Sequence, residues 1–153
     1  MKYTFRAEYE KLLWAELSAE ERELVELARK SAERAYAPYS NFPVGAAARL
    51  TDGRTFTGNN QENAALPSGL CAERTLLFYL GSQNLIANIE MLAVFAPKSP
   101  EPVMPCGSCR QVMYEYEHEA QREWILIFAG AAEYVYRFVG VKHLLPFAFV
   151  WRP

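Results

Sequence analysis

The chain has 153 residues, 51% of them apolar and 22% charged, with a formal net charge of −2. That length suits one domain with its own core, and the slight acidic excess excludes the basic footprint of a protein that tracks nucleic acid or binds an anionic membrane. No apolar run approaches the roughly 20 residues of a membrane span, and "MKYTFRAEYEK" lacks the apolar centre of a secretory signal, so a cytoplasmic protein with a small, roughly neutral partner is expected.

Residues 1–17 are expected to form a loosely attached N-terminal arm. In "LSAEERELVELARKSAERAYAPYS", Ser18 can cap a helix with Glu21 closing a capping box. Leu24, Leu27, Ala28, Ser31 and Ala35 make its apolar stripe, and Pro38 sets its outer limit. "FPVGAAARL", "TDGR" and "TFTGN" read as a hairpin on an Asp-Gly turn, with Gly45, Ala46, Ala47 and Ala48 suited to a strand that something approaches closely.

A helix is expected from Cys71 to about Leu80, ending near Gly81, then a short buried strand in "IEMLAVFA". The Pro-rich "PKSPEPVMPCGSC" reads as a loop, and residues 107–119 as a further helix. "EWILIFAG" reads as a buried strand, "EYVYRFV" as an alternating one, and "VKHLLPFAF" as a closing turn and tail. Helices alternating with strands imply a layered α/β domain whose later strands are partly parallel.

The three cysteines carry the chemistry. Cys106 and Cys109 form a C-x-x-C where the Pro-rich loop meets a helix, and Cys71 opens another helix, so two helix starts can face one ion. A thiolate is favoured at a helix N-terminus, and three thiolates around zinc leave a tetrahedral position for water, as a catalytic site requires. The same residues also fit a core thiol plus a reduced or redox-active pair. Glu73, two residues after Cys71, favours the metal, because a carboxylate there can take a proton from an activated water. His118 and His143 read as surface or structural histidines rather than ligands.

The spacing Cys-Ala-Glu followed by Pro-Cys-x-x-Cys matches the signature of zinc-dependent deaminases. "YAPYSNFPVGAA", "GNNQENAA", "CAERT", "PCGSCRQ" and "LLPFAF" follow one another as in the small, homotetrameric cytidine deaminases, and the chain resembles that family over roughly residues 18–149. The resemblance implies a three-layer α/β fold, with a mixed five-stranded sheet flanked by helices, over residues 1–153. It implies one Zn2+ per subunit held by Cys71, Cys106 and Cys109, with Glu73 shuttling protons as water attacks the amine-bearing carbon of cytosine. It further implies that Asn60 and Glu62 bind the ribose hydroxyl, that Phe42 lies near the pyrimidine, that the Ala72 N–H holds the pyrimidine carbonyl, and that Phe149 reaches a neighbouring subunit's site. Arg74 and Arg110, each just after a ligand-bearing motif, are placed to draw negative charge off the thiolates.

The expected activity is deamination of cytidine or deoxycytidine in pyrimidine salvage. Leu66 stands where many relatives have tyrosine, and Phe147 and Trp151 add bulk near the tail, which opens the reading of a deaminase for a modified cytidine or nucleoside antibiotic. An enzyme editing cytosine within nucleic acid would need a basic groove that the composition does not offer. A non-enzymatic zinc module would close the fourth metal position with a protein ligand.

Overall fold

A computed structural model describes residues 1–151; Arg152 and Pro153, the end of the tail, lie outside the described residues. The elements run β1 (Glu10–Leu13), α1 (Ala19–Ala32), β2 (Gly45–Leu50), β3 (Thr55–Asn59), α2 (Ala72–Ser82), β4 (Ile89–Phe95), α3 (Gly107–Ala120), β5 (Ile125–Ala129) and β6 (Tyr134–Val139), with short 3-10 turns between several of them. The six strands lie in the order β1-β6-β5-β4-β2-β3. Among the six described strands, only β4 and β5 pair in parallel, because α3 carries the chain from one to the other; the remaining strand neighbours are antiparallel.

The sheet therefore has six strands rather than the expected five. The additional one, β1, comes from the supposed arm and pairs Glu10–Leu13 with Arg137 to Tyr134 of β6. Its attachment is electrostatic and aromatic. Arg137 bonds Glu10 at 2.7 Å and Glu21 of α1 at 2.7 Å, while Tyr9 stacks on Phe138. Desolvation opposes ionisation of Glu21, but the Arg137 contact and the Ser18 cap outweigh it and hold the carboxyl below its usual range.

Side-chain alternation divides the core into two layers of packing. On β2, Ala46, Ala48 and Leu50 face Leu76, Leu77 and Leu80 of α2 and Met113 of α3. Ala47, with Ala93 of β4 and Ile127 of β5, faces Leu24, Val25 and Ala28 of α1. Helices thus cover both faces of one sheet, giving a three-layer α/β architecture. The capping box forms as expected, with Ser18 Oγ accepting from Glu21 N and the Glu21 carboxylate accepting from Ser18 N. α1 ends at Ala32, six residues short of Pro38.

The run of small residues on β2 has a direct cause. A Cβ on Gly45 would collide with the Ala28 carbonyl of α1 and lie 2.5 Å from Ala32 N. On the opposite face, a Cβ on Gly58 would lie 2.8 Å from both Leu76 Cβ and Leu76 N of α2. These two contacts set how deeply each helix presses on the sheet. Gly45→Ala is expected to lower unfolding free energy by roughly 3 kcal/mol through overpacking against rigid backbone. A urea midpoint equal to that of the parent would show instead that α1 can retreat.

Candidate active site

Two helices begin at the same place. Cys71 is the N-cap of α2 and Cys106 the N-cap of α3, both in extended conformation, and neither sulfur makes a capping bond. Cys109 follows in the first turn of α3 and is fully buried. Cys71 Sγ lies 3.8 Å from Cys106 Sγ, Cys106 Sγ lies 3.5 Å from Cys109 Sγ, and all three fall within 4.8 Å of one another. Tetrahedral zinc with Zn–S bonds of about 2.3 Å requires sulfurs roughly 3.8 Å apart, so the trio fits the ion. The unpaired N–H groups of two helix starts favour negative charge at that point.

Arg74 NH2 approaches Cys71 Sγ at 3.7 Å, and its buried Nε has no hydrogen-bond partner among the described residues. Hydrogen bonding from Cys109 and then from Arg74 brings the Cys71 thiol down to about 5, while the same contact pushes Cys109 up. Arg110 goes elsewhere: Nε donates to the Pro105 carbonyl at 2.8 Å and NH1 to the Leu144 carbonyl at 2.9 Å. Its hydrogen bonds clamp the loop before Cys106 and the base of the tail, rather than sulfur.

Glu73, in the first turn of α2, is 4% exposed. Burial pushes its carboxyl up to about 7, reinforced by the negative charge on Cys71 and partly opposed by its own backbone N–H and Cys109. Ala72, the first residue of the helix, is fully buried. A cleft of about 510 Å³ opens beside Cys71 and Arg74 and is lined also by Tyr39, Ser40, Asn60, Glu62 and Leu66. Leu66 is 75% exposed at its rim.

Asn60 and Glu62, just beyond β3, grip one loop. Asn60 Oδ1 accepts from Val44 N at 2.8 Å and Nδ2 donates to the Phe42 carbonyl at 3.1 Å. Glu62 Oε2 accepts from Tyr39 N at 2.9 Å and Ser40 N at 3.2 Å, and Oε1 accepts from the Ser40 hydroxyl. These donors, Ser40 foremost, hold the Glu62 carboxyl below its usual range. Phe42, half-buried, therefore sits in a loop whose backbone is fixed by two residues that line the cleft.

Phe149 does not line the cleft beside Cys71 of its own chain. It is 69% exposed, with Gln111 of α3 bonding both its N–H, at 3.3 Å, and its carbonyl, at 2.9 Å. His143 Nδ1 accepts from Glu8 N at 3.1 Å, and His118 stacks on Tyr114. Sequence reasoning missed Ser40, Lys98 and Gln111 as parts of this framework. Ser40 alone left a signal, a serine two residues before Phe42 whose hydroxyl accepts the Phe42 N–H at 3.0 Å, a side-chain turn.

The family described as the cytidine and deoxycytidylate deaminase zinc-binding region matches residues 18–122. The chain belongs to this deaminase family. It is 40% identical over 126 residues to a cytidine deaminase of Sporosarcina psychrophila, covering 82% of this chain and 88% of the relative. The crystal structure of a cytidine deaminase from Burkholderia pseudomallei superposes with a TM-score of 0.74 at 39% identity, covering 83% of this chain and 97% of that one. One from Mycobacterium tuberculosis superposes at 0.65 with 34% identity, covering 84% and 96%. The deaminase family's zinc-binding region thus includes all three cysteines.

Purified protein is expected to hold about one zinc per chain, lost in Cys71→Ala and Cys109→Ser and released as pH falls, because the ligands must be deprotonated. Metal analysis after dialysis across a pH series checks this. Full zinc retention by Cys109→Ser would exclude Cys109 as a ligand.

Proposed function

We propose that this protein hydrolyses cytidine or deoxycytidine to uridine or deoxyuridine and ammonia, a step of pyrimidine salvage. The observation that carries the reading is a buried carboxylate, Glu73, in the first turn of the helix that Cys71 opens, in a family whose zinc-binding region spans both cysteine motifs. Relatives at this similarity are named cytidine deaminases. Cys71, Cys106 and Cys109 would hold zinc, which when bound supplies the Lewis acidity that makes water a nucleophile near neutral pH.

The remaining work falls to the chain. The Glu73 carboxylate takes a proton from the attacking water and delivers it to the ring nitrogen, then passes a second to the departing amine, so that water and cytidine become uridine and ammonia. The two helix starts and Arg74 offset the charge of three thiolates, which keeps the metal acidic. Asn60 and Glu62 offer the sugar an amide and an acceptor across the cleft, the Ala72 N–H meets the pyrimidine carbonyl, and Phe42 faces the base.

Phe149 would complete a neighbouring subunit's site in a homotetramer. Exposed Phe78, Tyr79, Phe147, Phe149 and Trp151 supply apolar surface that subunits would cover. Three free cysteines suit a reducing, cytoplasmic setting. Among the described residues, no helix is long and apolar enough to cross a membrane. The metal group gathers three protein ligands, which favours an open fourth position over a closed structural site.

A second reading, deamination of a modified cytidine, is favoured by Leu66, an exposed apolar residue at the cleft rim. A panel of cytidine, deoxycytidine, cytosine and modified cytidines, followed by ultraviolet absorbance, separates the two. Loss of absorbance with cytidine is expected; no turnover by the zinc-loaded protein would overturn the reading. Glu73→Gln is expected to keep zinc and lose about 10²- to 10⁴-fold in kcat. A variant near the parent rate would exclude Glu73 as the proton carrier.

A further inference from the structure

We propose that Ser40 is a positioning residue that ties recognition of the nucleoside's sugar to placement of Phe42 beside the base. The inference rests on the nucleoside deaminase reading above. A serine hydroxyl has one proton and two lone pairs. Here the proton goes to Glu62 Oε1, and one lone pair accepts the Phe42 N–H at 3.0 Å. Ser40 is therefore the joint between a carboxylate at the edge of the cleft and the backbone of the aromatic residue.

The rest of the loop is held so that this joint transmits a displacement. Asn60 fixes the far side of Phe42 through its carbonyl, at 3.1 Å, and through Val44 N, at 2.8 Å. Asn41, between Ser40 and Phe42, is in the left-handed region with φ of 54°. Lys98 Nζ holds it there, 2.8 Å from the Asn41 carbonyl and 2.5 Å from Oδ1. Lys98 belongs to the loop that delivers Cys106, so the segment carrying Phe42 is anchored to the segment carrying a metal ligand.

Glu62 Oε2 accepts two backbone N–H groups, whereas among the described residues Oε1 accepts only the Ser40 hydroxyl. A carboxylate oxygen takes two donors, so Oε1 has one position left. A sugar hydroxyl donating there shares that oxygen with Ser40, and the shift it causes reaches Phe42 through a single hydrogen bond. Without the Ser40 hydroxyl, the sugar contact no longer bears on the base.

The test compares cytidine with 2′,3′-dideoxycytidine, which lacks the 2′ and 3′ hydroxyls and keeps the 5′ hydroxyl, in the zinc-loaded full chain. kcat and KM are measured for the parent, Ser40→Ala, Ser40→Thr and Glu62→Gln, with zinc content and Tm for each. The expected result is a loss of about tenfold in kcat/KM for cytidine with Ser40→Ala, the size of one hydrogen bond to a charged group. Turnover of the dideoxy analogue is expected to change less than about twofold, and Ser40→Thr to restore most of the preference. Equal losses for both substrates, without rescue by threonine, would mark Ser40 as merely structural and overturn the proposal. Glu62→Gln separates the two levels. If it leaves the preference intact, the sugar assignment itself fails; if it abolishes the preference while Ser40→Ala keeps it, only the role of Ser40 fails.

Discussion

Everything at the site follows from the convergence of two helix N-termini on three sulfurs. Serine, threonine or aspartate would stabilise each helix start by about 1 kcal/mol through a side-chain cap. Cysteine occupies both N-caps instead, and its sulfur bonds none of the backbone N–H groups behind it. The sacrifice is small beside the roughly 10 to 16 kcal/mol that thiolate-rich zinc sites supply at neutral pH. Leaving those N–H groups unpaired keeps two positive helix ends aimed at the sulfurs. Glu73 gains its position from the same geometry, because a residue in the first turn of α2 is held close to whatever the N-cap sulfur binds.

That convergence depends on how closely the helices lie on the sheet. α2 rests on Gly58 of β3 and α1 on Gly45 of β2, so the small residues of the hairpin act as spacers of minimum height on both faces. Ser31 of α1 adds a buried hydrogen bond from its hydroxyl to the Gly58 carbonyl at 2.7 Å, linking the two layers through the strand between them. The parallel pairing of β4 and β5 then obliges the chain to cross over one face, and the crossover is α3 with its two cysteines. A ligand-bearing helix start near the C-terminal end of a parallel strand is where open α/β sheets offer a crevice.

What was legible in the sequence was what local chemistry decides. The capping box at Ser18, the Asp-Gly hairpin, the two-residue alternation of the inner strands and the cysteine spacing each carry their own pattern. β1 did not: four residues, two of them charged, become a strand only because Arg137 and the edge of β6 receive them from far along the chain. The sequence likewise places Arg110 beside Cys109 but cannot say which way the guanidinium turns. The nearby carbonyls of Pro105 and Leu144, set by tertiary folding, decide that. Ser40 was obscured for a related reason, since its partners Glu62 and Phe42 meet only after the hairpin closes.

In the proposed reaction the same residue type does two different things, and environment assigns the roles. Glu62 accepts three hydrogen bonds at the edge of the cleft, and these hold it ionised. An ionised carboxylate can only accept, so it selects for a hydroxyl. Glu73 is buried beside a thiolate, and both conditions make its charge costly, which moves its carboxyl towards neutrality. A group poised there can take a proton and return it, which a carboxylate stabilised like Glu62 would do poorly. If the proposed roles hold, exchanging the two environments would leave the sugar facing a carboxyl that also donates and the reacting carbon facing a base too weak to take a proton. In the proposed reaction, the loop hydrogen bonds at one carboxylate and the dry first turn of α2 at the other are therefore as necessary as the metal ligands.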